Sequence, residues 1–431
     1  MIHGPSSANY DVDLGPWLLS DWYHDDVFSL DHIGITTNLA AIPESNVLNG
    51  KGVFACNAAI DTRCTGEAEY FQVVFDKGTK YRFGLVNTAS LLTYTFYIDG
   101  HSFTVSEIDF VPIEPFVTDV LNIAIGQRYE IIIEANATFE HGPNFWMHAQ
   151  YCGETALLDS RVGIVRYDAA NTSDPYMPPE SERHLHFGCD DPEPSQLAPI
   201  VRQNVGARAN KMTEADYLYI GRLNATWPGT PSTDGPVFLW VLQDTPMYVN
   251  WSEPSVAKIT GLSSDPTFPD YTDPIQLDYE TGQWVYFVIT SNFSAAELNP
   301  MRTMPPSAHP MHLHGHDFVV LAQGHGPFDA SAVTPLLTNP ARRDTADVPF
   351  GGWIWIAFQV DNPGAWLLHC HIAFHSSDGI ALQYLEQPSK LRPLMDRYGV
   401  LGAFAERCDA WNEWYDTVNI PAKVTQADSG I

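Results

Sequence analysis

For most of its length the chain alternates short runs of Val, Ile, Phe, Tyr and Trp with clusters of Gly, Pro, Asn and Asp, a rhythm that few folds accommodate. Residues 71–77 (FQVVFDK), 81–87 (YRFGLVN), 93–99, 120–126 and 129–135 (YEIIIEA) read as strands, and a first block closes near 162–168. A second block opens with 216–223 and 237–243 and continues through 283–290, 353–360 (WIWIAFQV) and 379–386. Many short strands separated by turn signals specify sandwiches or barrels, so the expected fold class is all-β. The stretch 169–210, rich in Pro, Ser, Glu and Asp, reads as an interdomain linker between domains at 1–168 and 211–431. Helical spacing of Leu, Met, Ala and Trp predicts one helical segment from about 390 to 416, followed by an extended tail.

Charge narrows the partners. The 431 residues carry 52 acidic and 22 basic side chains, a net charge of −30. Nucleic acid and anionic membrane surfaces would be repelled, so neither is expected as a partner. No apolar run reaches the ~18–20 residues that span a bilayer. Five Asn-x-Ser/Thr sequons, at Asn136, Asn171, Asn224, Asn250 and Asn292, predict a secreted glycoprotein. The first residues have no basic segment leading into an apolar core, so the expectation is that the true start lies upstream of Met1.

Seven of the 16 histidines fall in two short segments, His309-Pro-Met-His312-Leu-His314-Gly-His316 and His369-Cys370-His371-Ile-Ala-Phe-His375. Imidazole and thiolate together suit copper, zinc or iron, and a zinc site would normally show paired cysteines or two histidines on a helix. Trp366-Leu367-Leu368 leads into the second segment and predicts a strand, on which successive side chains take opposite faces. Cys370 then serves a metal on one face while His369 and His371 serve metals on the other. The strand becomes a covalent conductor between two metal sites. His375 lies past the strand end and can fold back toward Cys370; one more histidine completes a blue-copper ligand set. His312 and His314, two apart, share a face by the same logic. A lone His-x-His is more often a plain surface strand, and His184-Leu185-His186 beside the acidic linker is read that way.

The segments HPMHLHGHDF (309–318), NPARRDTADVPFGGW (339–353) and DNPGAWLLHCHIAFH (361–375) resemble the C-terminal copper motifs of fungal laccases, which are multicopper oxidases. Residues 2–23 resemble the stretch joining the first two laccase domains, and the final Asp-Ser-Gly-Ile resembles a processed ascomycete laccase C-terminus. The resemblance implies tandem cupredoxin-like Greek-key barrel or sandwich domains. It implies one-electron oxidation of phenolic or aromatic substrates at a type 1 copper, coupled to reduction of dioxygen to water at a trinuclear cluster. Carried over by motif, His309, Cys370 and His375 would hold the type 1 copper, His312 the type 2 copper, and His314, His369 and His371 the type 3 pair. Cys370, His369 and His371 together would conduct electrons between the sites. Ile380, ten residues after Cys370, takes the axial position without a donor atom, which implies a raised potential. His316 is expected to be structural, beside the ligands.

Two departures accompany the resemblance. Neither HWHG nor HSH occurs in the sequence, so four of the eight cluster histidines are present. The expectation is a missing first cupredoxin domain, which would join an aromatic reductant and dioxygen as partners and without which these residues would take up no oxygen. The alternative is a non-enzymatic blue copper protein that carries electrons on the type 1 copper alone. The loop 87–92 places Leu91 where laccases have an acidic residue near the substrate, and no Asp or Glu lies within it. Cys370 apart, five cysteines remain; Cys56 and Cys64 are close enough to close a small loop. The resemblance implies a Cys152–Cys189 bridge and leaves Cys408, whose counterpart pairs with the first domain. The physiological reductant stays open among phenol, amine, pigment precursor and lignin fragment.

Overall fold

The computed structural model describes residues 6–57, 59–66, 68–152, 159–177, 189–213, 216–225, 236–272, 274–291, 302–303 and 307–417. His184, His186, the Asn292 sequon and the expected C-terminal tail lie outside them. The chain forms two compact units, neither contiguous in sequence. One comprises Met1–Leu30, Ala41–Gln203 and Thr338–Asp347; the other comprises Asp31–Ala40, Asn204–Leu337 and Val348–Ile431.

The first unit contains two sheets. One runs in the order Ser45–Leu48, Val12–Trp22, Lys80–Asn87, Arg128–Glu134, Phe103–Ile108 and Val111–Thr118; the other runs Phe71–Val74, Arg161–Arg166, Asn144–Tyr151, Tyr94–Ile98 and Leu121–Ile123. Alternate residues point inward, as the period of a strand requires: Phe103 and Val105 are buried, as are Phe83 and Leu85. Trp17 stacks on Phe83 at 3.8 Å and meets Phe71 edge-on at 5.3 Å. Such ring pairs add ~0.5–1.5 kcal/mol beyond the area they bury. Disulfides Cys56–Cys64 and Cys152–Cys189 form, and Cys408 carries a free thiol.

A charged cluster pins the late segment 338–347 into this unit. The turn between Phe103–Ile108 and Val111–Thr118 has positive φ at both Asp109 (43°) and Phe110 (69°), the pattern of a two-residue hairpin usually filled by Asn-Gly. Its Asp109 carboxylate accepts the Arg128 backbone N–H at 2.8 Å and the Arg343 Nε–H at 2.7 Å, which offsets the strain. Arg343 also lies 3.4 Å from Asp191, while Arg128 grips both oxygens of Asp344 at 2.7 Å. Asp109 and Arg343 are almost wholly buried, and burial raises the Asp109 pKa against the pull of the two arginines.

The second unit also has two sheets. The first runs Val237–Leu242, Tyr217–Ala225, Trp284–Thr290, Gly352–Gln359 and Phe318–His325; the second includes, in order, Pro274–Leu277, Ala381–Glu386, Gly364–Cys370 and His309–Leu313. Trp284, Tyr286, Val288, Trp353 and Trp355 pack with Val319 and Leu321 on the first sheet. The all-β expectation holds.

The single helix expected over 390–416 is two helices, Pro388–Arg397 and Leu401–Thr417. Gly399 takes φ +67°, and the Gly399 and Val400 N–H groups donate to the Asp396 and Met395 carbonyls. That is a Schellman stop, and the periodicity of the flanking apolar residues runs through it unchanged.

Replacing Arg343 with Leu leaves Asp109 buried without its main counter-charge. This substitution should cost about 3–5 kcal/mol, seen as an earlier chemical or thermal unfolding transition. An unchanged transition would mean that the cluster contributes nothing to holding segment 338–347.

Candidate metal centre

Strand His309–Leu313 pairs antiparallel with Gly364–Cys370, setting Met311 opposite Cys370, His312 opposite His369 and Leu313 opposite Leu368. The ladder continues at both ends: His371 N–H donates to Pro310 O at 2.7 Å and His314 N–H to Leu367 O at 2.8 Å. With side chains alternating, this one register sorts the histidines by face. The short helix Ala373–Ser377 then turns the chain so that His375 returns to Cys370.

On one face, His309 Nδ1 and His375 Nδ1 each lie 3.7 Å from Cys370 Sγ, and the donor atoms of all three lie within 4.8 Å of one another. Nitrogen and sulfur donors at about 2.0 and about 2.3 Å from one ion, at trigonal angles, stand ~3.7 Å apart. The donor set fits a first-row metal of copper type. All three residues are buried, and Trp240 closes the set with its ring 4.0 Å from His375 and 5.2 Å from His309. Ile380 is fully buried, and its backbone ties the ligand residues together: Cys370 N–H donates to its carbonyl at 3.2 Å and its N–H to His375 O at 3.1 Å.

On the other face His312, His314 and His369 bring their donor atoms within 4.8 Å, with His314 Nε2 3.1 Å from His369 Nε2. The His371 ring centre lies 5.7 Å from that of His312 and 5.8 Å from that of His369. His369 Nδ1 lies 2.8 Å from the Cys370 carbonyl, so it donates there and leaves Nε2 as the lone-pair nitrogen that a metal needs. The Ser376 hydroxyl donates to the same carbonyl.

Burial holds these imidazoles neutral. His309 and His369 are each pushed down to about 3, and His375 well below the usual range, with desolvation the main cause in each. Neighbouring imidazoles add to the depression at His369 and His375. Neutral imidazoles are the ligand form, so these rings need lose no proton to take a metal, while Cys370 must give up its thiol proton.

Two further residues singled out in the sequence have partners of their own. His316 pairs with buried Glu386 at 2.6 Å and faces Asp361 at 3.7 Å. Leu91 meets a carboxylate from outside its loop: Asp21 on Val12–Trp22 accepts the Ser90 and Leu91 N–H groups at 2.8 Å, and that of Leu92 at 3.3 Å. Asp21 thus holds the loop in place, and burial raises its pKa. The sequence offers no local sign of Asp21, Trp240 or Ser376 at these positions.

Residues 13–170 and 248–390 each match a family described as multicopper oxidase. An oxidoreductase of Pestalotiopsis fici is 60% identical over all of this chain, which spans 71% of that protein. The dihydrogeodin oxidase of Aspergillus terreus is 52% identical, again over the whole chain and 71% of its own length. The crystal structure of a laccase from Botrytis aclada superimposes with a TM-score of 0.82 at 33% identity, covering 100% of this chain and 73% of that one. The chain belongs to the multicopper oxidase family. Its fold is the mostly-β, cupredoxin-like fold of that family with short C-terminal helices, and its cofactor is copper.

The depressed histidines predict a pH effect with a definite sign. Their folded pKa values, about 3 for His309 and His369, lie below the ordinary 6.5, so the unfolded chain binds more protons between those limits. Their contribution to stability is complete above 6.5 and is lost as pH falls toward 3. The metal-free chain should therefore unfold at progressively lower temperature across that window, and a flat profile would contradict the buried neutral state.

Proposed function

We propose that this chain is the type 1 half of a laccase-type oxidase that takes single electrons from phenolic or aromatic molecules and delivers them to dioxygen. The observation that carries it is the placement of Cys370 on one face of a strand and of His369 and His371 on the other. Copper, when bound, supplies one-electron redox chemistry at His309, Cys370 and His375 and dioxygen reduction at the facing histidines. The residues supply the rest. Cys370 offers a thiolate in a dry pocket, Trp240 shields the imidazoles from water, and the strand backbone links sulfur to both neighbouring rings. The His369 Nδ1 contact with the Cys370 carbonyl adds a hydrogen-bonded route beside the covalent one. Ile380 brings no donor, which favours a high potential and so a strong one-electron oxidant.

The substrate class rests on the relatives, among them laccases and a dihydrogeodin oxidase. Residues 87–92, with Leu91, offer no carboxylate to take up a phenolic proton. Secretion is supported by sequons whose Asn136 and Asn224 are exposed. A first cupredoxin domain with two His-x-His pairs is proposed to complete the cluster, since His312, His314, His369 and His371 supply four imidazoles.

Oxygen consumption with a phenolic donor, run beside copper counting, tests the reading. The 431-residue chain should bind copper without oxygen uptake, and uptake should appear when a first domain carrying both pairs is joined to it. Replacing Cys370 with Ser in the joined protein should abolish that uptake. Four coppers and full turnover on this chain alone would refute the proposed division.

A further inference from the structure

The ligand pocket has a cation behind its aromatic wall. Arg222 on Tyr217–Ala225 stands directly opposite Trp240 on Val237–Leu242, and Asn224 stands opposite Phe238. Directly opposed and alternate residues share a sheet face, so Arg222, Phe238 and Trp240 lie side by side. The guanidinium carbon is 5.0 Å from the Trp240 ring centre and 5.6 Å from that of Phe238. Trp240 in turn lies 4.0 Å from His375. The indole thus neighbours both the cation and the imidazole of His375.

The cation packs against both rings. Arg222 Nε is buried and has no hydrogen-bond partner among the described residues. Guanidinium is weakly hydrated and planar, so an indole face suits it where water is scarce. Trp240 joins the charge to the site, with its ring centre 5.0 Å from the guanidinium carbon and 4.0 Å from that of His375. Burial lowers the Arg222 pKa, and the acidic group that opposes this is Asp378, three residues after His375 and 4% exposed, whose backbone carbonyl accepts the Trp240 N–H at 3.0 Å.

We propose that Arg222 is a positioning residue that fixes a positive charge behind Trp240 and so raises the reduction potential of copper held by His309, Cys370 and His375, with Asp378 as the opposing weight. This rests on the copper reading given above. The step concerned moves one electron from a donor, oxidised by one electron, to the site; Arg222 exchanges neither electron nor proton. Gaining an electron lowers the site's charge by one, and a fixed cation in a medium of low dielectric favours that reduced state. Ile380 acts by withholding a donor, Arg222 by adding charge, so the two effects are separable.

The test is a redox titration of the copper-loaded 431-residue chain against ferricyanide, followed by its red absorption. Arg222→Gln should lower the potential, shifting the equilibrium with the mediator about threefold to tenfold, where tenfold is about 59 mV for one electron. Arg222→Lys keeps the charge and should retain most of the potential, while Asp378→Asn should raise it. An intact red band whose potential ignores Arg222→Gln, or falls equally in the Lys variant, overturns the proposal. If the Gln variant does not fold, Asp378→Asn decides, because an unchanged or lowered potential is the contrary result. A parent chain that binds copper without a red band refutes the site reading itself, and this proposal with it.

Discussion

The metal chemistry of this chain depends on one antiparallel register. Pairing of His309–Leu313 with Gly364–Cys370 sets His312 opposite His369 and Met311 opposite Cys370. A slip of one residue would send each side chain of that strand to the other face and separate the thiol from His309. The register is held beyond the strand ends, by the His371–Pro310 and His314–Leu367 backbone bonds. Burial then does the rest, keeping His309 and His375 neutral and water away from Cys370.

The first unit solves a different problem. Its Asp109–Phe110 turn adopts a backbone that Phe110 does not favour, and the Asp109 carboxylate is held by the Arg128 backbone N–H and by Arg343, from a segment more than two hundred positions later. Removing one partner of such a pair is far more costly than never having built it. The segment carrying Arg343 and Asp344 is thereby committed to the first unit although its sequence neighbours belong to the second.

What is legible in the sequence, and what is not, follows from the range of each interaction. The strands are legible because alternation is local, and the face-sorting of His369, Cys370 and His371 follows from the same period of two. His375 is legible as a residue able to fold back, since it lies five positions from Cys370. Trp240 and Arg222 are not, because they reach the site from strands far upstream, and an Arg in GRLNAT looks like any solvated charge. The break at Gly399 is hidden because the apolar spacing continues across a Schellman stop. Asp21 is hidden for a related reason: its carboxylate serves backbone groups of a loop that contains no acid of its own.

The proposed copper site requires Cys370 to act as a metal ligand between two buried imidazoles. The most direct measurement is a copper titration of the metal-free chain, followed by visible absorption, with Cys370→Ser as its companion. The expected result is an intense red band from thiolate-to-copper charge transfer that saturates at one copper for the Cys370 site and is absent in the Ser variant. A folded, copper-loaded chain without that band, or a Ser variant that keeps it, would contradict the assignment of Cys370.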